Sequence, residues 1–302
     1  MTSERTNAYT DVPDSFLREA AREDPRITLV TWAEDLGAEV VTSAAALAKA
    51  GKRPVVTVPS FVVPDLCGRM IREVCMPKLP VLFIITPEGG PDFASGQGAG
   101  IFCLSYLCAI PDLCILSPKN AGELKEMLSF ALGLGTPAAI LIPHTQVWPR
   151  STQSCTPIVM GESDTLYDEQ DIALLAEGGM VGAAMEIRRA LRDLGYGCSL
   201  IHMRFIKPLD EKAVIRAAAD HLLLVTMEDY VRTGGMGDAV LEILADIGSE
   251  VPVLNFALSD EYEDLGTAAE RRAQAGIDPE TMIRRIVTRY IGLYQVQEGG
   301  AG

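Results

Sequence analysis

The sequence predicts an α/β protein of two domains, each with a mostly parallel sheet flanked by helices. Three observations carry that prediction. First, residues 81–120 (VLFIITPEGGPDFASGQGAGIFCLSYLCAIPDLCILSPKN) hold two apolar runs of strand length, 81–85 and 113–116, separated by a glycine-rich loop and a short helical segment. Runs that are apolar throughout belong to strands covered on both faces, and a crossover of this length joins parallel neighbours. Second, short apolar runs and helical segments alternate along nearly the whole chain, which is the pattern of repeated βαβ units. Third, residues 147–170 (VWPRSTQSCTPIVMGESDTLYDEQ) break that alternation with a polar, aperiodic stretch containing two prolines. Such a stretch reads as a linker. The expected boundaries are residues 1–150 for the first domain, 151–168 for the linker and 169–302 for the second domain.

In chain order, residues 14–23 form an opening helix around Phe16, Leu17 and Ala20, and 27–31 (ITLVT) a short strand. Residues 36–50 are Ala-rich with apolar positions at helical spacing, and Gly51 stands where a C-terminal cap belongs. Strand 54–58 (PVVTV) and a helix over 64–76 follow, then strand 81–85, the glycine loop, a helix within 101–109 and strand 113–116. Pro118 is tolerated in the first turn of a helix over 121–134, and strand 138–142 (AAILI) closes this half. The second half repeats the scheme: strands 172–176, 198–203, 222–227 and 251–256, helices 182–194, 211–219 and 237–247, and a last helix over 279–294.

Composition narrows the function. A 302-residue chain is long enough for about two cores. Its net charge of −15 excludes a phosphate backbone or an anionic membrane surface as a partner, because both need a basic face. No apolar run reaches the roughly 18 residues of a membrane span, and the polar N-terminus carries no signal-peptide core. The expected location is the cytoplasm. Seven cysteines at 67, 75, 103, 108, 114, 155 and 198, never spaced CxxC, read as small core residues in a reducing compartment. Three isolated histidines (144, 202, 221) argue against an intrinsic zinc site.

Candidate sites collect where loops leave the carboxyl ends of parallel strands. Glu34 and Glu39 flank the start of the helix after the first strand, where the helix dipole favours a carboxylate in either a capping or a chemical role. His144 follows Ile142-Pro143 at a strand end. The Gly96-Gln97-Gly98-Ala99-Gly100 run lies too far beyond its strand, with the wrong final spacing, for a dinucleotide fingerprint. It suits close backbone approach instead. Glu228-Asp229 and the Thr233–Gly237 turn read as a tight connection feeding a helix.

The order of motifs resembles a known family. RPVVTV, LPVLFII and a glycine loop ending in LSYLCAIPDLCILSPKNAGELKEML resemble the pyrimidine-binding domain of 1-deoxy-D-xylulose-5-phosphate synthase and its transketolase relatives. AEGGMVGAAMEIRRAL, HMRFIKPLDEKAV, VTMEDYVRTGGMGDAVLEIL and VLNFALSDEYEDLGTAAE resemble the C-terminal domain of the same enzymes. The resemblance implies a thiamine-diphosphate-dependent transferase of two-carbon ketol or acyl units acting on a keto acid or sugar. In that family a separate N-terminal domain supplies a Gly-Asp-Gly motif for Mg²⁺ and the diphosphate, and this chain has no Gly-Asp-Gly. The chain therefore resembles the second half of a split enzyme. Its implied partner is an N-terminal-half subunit holding the Mg²⁺ and diphosphate, with homodimer pairing or a heterotetramer. A catalytically degenerate subunit that completes a heteromer is the alternative.

Site residues carried over by the resemblance are Glu34, then Glu39, for the acid that activates the cofactor; ungapped counting instead places Gly37 there. The aromatic platform for the pyrimidine falls at Val62, with Phe61 and Ser60 beside it. The family's loop histidine falls at Gly98, and its phosphate-gripping arginine at Leu141 or His144. These departures imply a changed donor or acceptor. An apolar cluster of Phe102, Leu104, Tyr106 and Leu107 is the expected subunit contact.

Overall fold

A computed structural model describes residues 8–87, 98–143, 156–259 and 268–299. It contains two sheets. The first has strands β1 (Ile27–Thr31), β2 (Arg53–Pro59), β3 (Leu82–Thr86), β4 (Cys114–Leu116), β5 (Ala138–Leu141) and β9 (Phe205–Lys207), in the order β1-β2-β3-β5-β4-β9. The second has β6 (Asp164–Tyr167), β7 (Ile172–Ala176), β8 (Cys198–His202), β10 (Leu223–Val231) and β11 (Val253–Leu258), in the order β11-β10-β7-β8-β6. Every pairing is parallel except β4 with β9 and β6 with β8. The central strands β5 and β7 are apolar throughout, and β3 is so up to its last residue, Thr86, because helices cover both faces.

The helices are α1 (Ala8–Glu23), α2 (Glu39–Lys49), α3 (Val63–Arg69), α4 (Cys103–Cys108), α5 (Ala121–Leu134), α6 (Val181–Asp193), α7 (Glu211–Asp220), α8 (Met236–Asp246), α9 (Ala268–Gln274) and α10 (Pro279–Gly299). Local chemistry fixes several ends. Asn120 caps α5 by accepting from Glu123 N at 2.9 Å, and Gly135 closes it in the left-handed conformation (φ +75°). The single helix expected over 64–76 is α3 followed by a π-helix over Met70–Cys75.

The two halves are joined more closely than a linker would join them. Asp164–Tyr167, inside the stretch expected to be linker, is β6 on the edge of the second sheet. Between β8 and α7, β9 crosses to the first sheet, where Phe205 is 1% exposed within that domain's core, edge-on to Phe130. Neither short strand has an apolar alternation readable in sequence. Each forms because a neighbouring strand already stands there to pair with it. The largest buried cluster contains side chains from both sheets, among them Phe83, Leu107, Leu175, Met203 and Tyr230. Cys67, Cys75, Cys103, Cys114 and Cys198 are buried in these cores.

Candidate functional site

The parallel strands of the first sheet present their carboxyl ends along one edge. After β2 the chain turns through a 3₁₀ segment, Ser60–Val62, started by Pro59 in an extended conformation. Ser60 is 2% exposed, and its Oγ has no hydrogen-bond partner. A buried hydroxyl left unpaired costs about 1–3 kcal/mol, so this atom is available to a ligand group. Val62 is buried, and Phe61 is half-buried and edge-on to Trp32, with centroids 5.9 Å apart. Phe61 packs against the core that contains Val62, and the Ser60 hydroxyl beside them is unsatisfied.

The two glutamates lie beside β1. Glu34 is exposed in the turn between β1 and α2, where Leu36 N and Gly37 N both donate to Ala33 O. Glu39 opens α2, also exposed, and its carboxylate accepts from Arg69 Nη2 at 2.7 Å. Arg69 also donates to Thr42 Oγ1 at 2.5 Å, which holds that pair between α2 and α3. Gly37, the position reached by ungapped counting, has φ +47°, a conformation that suits glycine and is costly for a glutamate. The structure brings Ser60, Phe61 and Val62 together on one turn. It leaves Glu34 in solvent and commits Glu39 to an arginine. His144 lies outside the described residues.

A second group of polar side chains, not foreseen from sequence, lies where the two sheets meet. At the carboxyl end of β4, Ser117 Oγ donates to Glu177 Oε2 at 2.7 Å, and Ser117 O accepts from His202 Nε2 at 3.0 Å. Glu123 Oε1 accepts from Lys119 Nζ at 2.9 Å and from Arg204 Nε at 2.8 Å, while Oε2 accepts from Lys119 N at 2.8 Å. Asp164 Oδ2 receives Lys119 Nζ at 3.0 Å. Burial works against ionisation of Glu123, but His202 and Lys119 beside it hold its carboxyl well below the usual carboxylate range. Glu123, Asp164 and His202 lie close enough to share a cation. The Lys119 ammonium bonded to both carboxylates, with the Arg204 guanidinium beside it, already supplies that charge, so the arrangement is an ion-pair junction and not a metal centre.

Glu228, at 0% exposure, accepts from Met236 N at 2.7 Å and Gly237 N at 2.9 Å, and so caps the start of α8. Burial pushes its carboxyl up to about 8, against the pull of those two amides and with further upward pressure from Glu177 and Asp238. Burial also raises Glu177. Asp229 pairs with Arg272 of α9. A sequence signal existed for part of this: Asn120-x-x-Glu123 is a helix-start signature. Nothing in sequence places His202 or Arg204 opposite it.

The sequence family described as transketolase, C-terminal domain, matches residues 161–282. The 1-deoxy-D-xylulose-5-phosphate synthase of Caldanaerobacter subterraneus subsp. tengcongensis is 31% identical over 310 residues, covering 95% of this chain and 50% of that protein. The enzyme of the same name from Lachnoclostridium phytofermentans is 34% identical, covering 82% of this chain and 40% of its own length. The chain thus spans about half the length of the curated relatives it matches. Among solved structures, one described as a split-gene transketolase, inactive β4 tetramer, superposes with a TM-score of 0.83 at 20% identity, covering 94% of this chain and 98% of that one. Transketolase from Campylobacter jejuni gives 0.73 at 16% identity, with 92% of this chain and 46% of that one covered.

Proposed function

We propose that the chain, similar over nearly its whole length to about half of 1-deoxy-D-xylulose-5-phosphate synthases and matched over residues 161–282 by the transketolase C-terminal domain family, belongs to the transketolase-like enzymes and is one subunit of a two-chain thiamine-diphosphate-dependent transferase. The pair transfers a two-carbon ketol or acyl unit between small molecules of the keto-acid or sugar class. The observation that carries this reading is the likeness to a chain described as a split-gene transketolase, with a TM-score of 0.83 over 94% of this chain and 98% of that one; the family's Gly-Asp-Gly motif for Mg²⁺ and diphosphate does not occur in the present sequence. The partner is an N-terminal-half subunit that holds both, in a heterotetramer or about a homodimer of this chain. Among the described residues no helix is long and apolar enough to cross a membrane, and a cytoplasmic location is part of the proposal.

Ser60, Phe61 and Val62 are assigned to the pyrimidine end of the cofactor: the unpartnered Ser60 hydroxyl offers a hydrogen bond, and the half-buried Phe61, backed by Val62 in the core, offers an apolar face for a flat ring. Bound thiamine diphosphate supplies a carbon nucleophile and an electron sink. This chain's part is to orient the ring, to exclude water from it, and to hold a proton beside it through Glu34. Glu39 is the second choice, because using it requires release from Arg69. His144 is proposed to contact substrate. The exposure of both glutamates favours one rival, a subunit that completes the assembly without donating an acid.

Calorimetry with thiamine diphosphate and Mg²⁺ tests the proposal on three preparations: this chain, an N-terminal-half transketolase-like chain, and the two together. Submicromolar binding is expected only for the pair, and tight binding to this chain alone overturns the split-enzyme reading. Glu34→Gln in the pair decides against the rival if turnover falls while cofactor binding persists.

A further inference from the structure

The turn carrying Ser60 is held from a distance by the other domain. The 3₁₀ segment Gly98–Phe102 packs on the Ser60–Val62 turn and on β10. Its Ile101 is 7% exposed and sits in the core of the second sheet, in the cluster that contains Met227 and Phe256. Phe102 packs against the same cluster. One turn later, Ser105 of α4 donates from Oγ to Thr233 O at 2.5 Å. Gly234 lies against it: a Cβ there would stand 3.4 Å from Ser105 Cβ, and its φ of +71° suits glycine. The turn bearing Thr233 and Gly234 is in turn fixed at its far side by the Glu228 carboxylate on the amides of Met236 and Gly237. Two anchors therefore run from the second sheet to Gly98–Phe102, and Gly98–Phe102 lies on Ser60–Val62.

We propose that Ile101 and Ser105 are positioning residues, through which the second domain sets the placement of Ser60, Phe61 and Val62. The inference deepens the reading of Ser60–Val62 as the cofactor's pyrimidine contact, and its structural half stands without that reading. A turn with a buried unpaired hydroxyl gains no order from that hydroxyl, so its geometry must come from what packs on it. Gly98–Phe102 and its anchors supply that packing.

The test uses the full chain and measures amide hydrogen exchange at residues 61–63, which report local opening of the turn. Ile101→Ala is expected to speed exchange there by about tenfold and Ser105→Ala by about threefold, the scale for removing one packed side chain or one hydrogen bond from a locally opening segment. Ser105→Thr, which keeps a hydroxyl donor, restores the slow rate. Ile286→Ala, a truncation of the same size in α10 of the same core, controls for general loosening and leaves residues 61–63 within about twofold of the parent. If Ser105→Ala and Ile101→Ala leave these amides unchanged, or change them no more than the α10 variant does, the inference is overturned. In the reconstituted pair, KM for thiamine diphosphate should rise in both variants with kcat at saturation preserved. Faster exchange without any change in cofactor affinity upholds the positioning and counts against the cofactor reading of Ser60–Val62.

Discussion

At the residue scale, two buried carboxylates make opposite demands on pH. Glu228 is pushed up to about 8 by burial, so folding keeps its proton where the unfolded chain would release it. Its stabilising contribution is complete below the ordinary carboxylate value of about 4.5 and is lost as pH rises towards about 8. Urea midpoints should therefore fall as pH rises from about 4.5 to about 8, and Glu228→Gln should flatten that part of the profile. Glu123 has the reverse sign: its carboxyl is held low, so its contribution is present above the ordinary range and disappears in acid. Glu123→Gln leaves Lys119 and Arg204 buried without their shared partner, a loss on the scale of about 3–5 kcal/mol by denaturation. Glu34→Gln is different in kind. Glu34 is exposed, so folding and assembly should be unaffected, while turnover of the pair falls about 100-fold, the scale of general acid–base catalysis. Unchanged turnover would remove Glu34 from the mechanism.

Among elements, the contacts between β4–α5 and the second domain decide the architecture. Gly178 begins the turn after β7, and a Cβ there would lie 2.5 Å from Ser117 O and closer still to Pro118 O. Backbone meets backbone, so no side chain can yield, and Gly178→Ala should destabilise by about 1–3 kcal/mol. Chemical denaturation measures this; an unperturbed midpoint would mean that the halves slide apart freely. β9 carries the complementary contact. Lys207 Nζ donates to Cys108 O and Ile110 O at 2.7 Å each, capping the carboxyl end of α4 from the other half of the chain. Helix α4 also corrects an expectation: Leu104 and Leu107 are fully buried in the core, and Phe102 just before the helix packs on the core of the second sheet, which leaves Tyr106 exposed on the surface expected to meet a partner.

Over the whole molecule, the shared core and the exchanged β9 strand imply one cooperative unit. A fragment ending at residue 150 lacks β9, and with it Phe205 and Arg204, so it loses an edge strand, a core aromatic worth about 3–5 kcal/mol, and the partner of Glu123. That fragment should show no cooperative unfolding transition, whereas the full chain should show one, with circular dichroism and Tyr fluorescence coincident. Two separate transitions in the full chain would show that the junction contributes little.

The sequence by itself determined the α/β class, the strands buried on both faces and most helices, because those elements are specified by the spacing of their own apolar residues. It also put Ser60, Phe61 and Val62 on one turn, since neighbours in sequence remain neighbours in any fold; the resemblance, not their own pattern, singled them out. It did not determine β6 or β9, whose short strands become strands only against a partner. Nor could it assemble Glu123 with Arg204, 81 positions away, or Ser105 with Thr233, 128 positions away. Tertiary structure alone decided those meetings. It also decided that Glu39 is occupied by Arg69 while Ser60 is left unpaired, because hydrogen bonds between distant segments depend on where the sheets dock and leave no period in the chain.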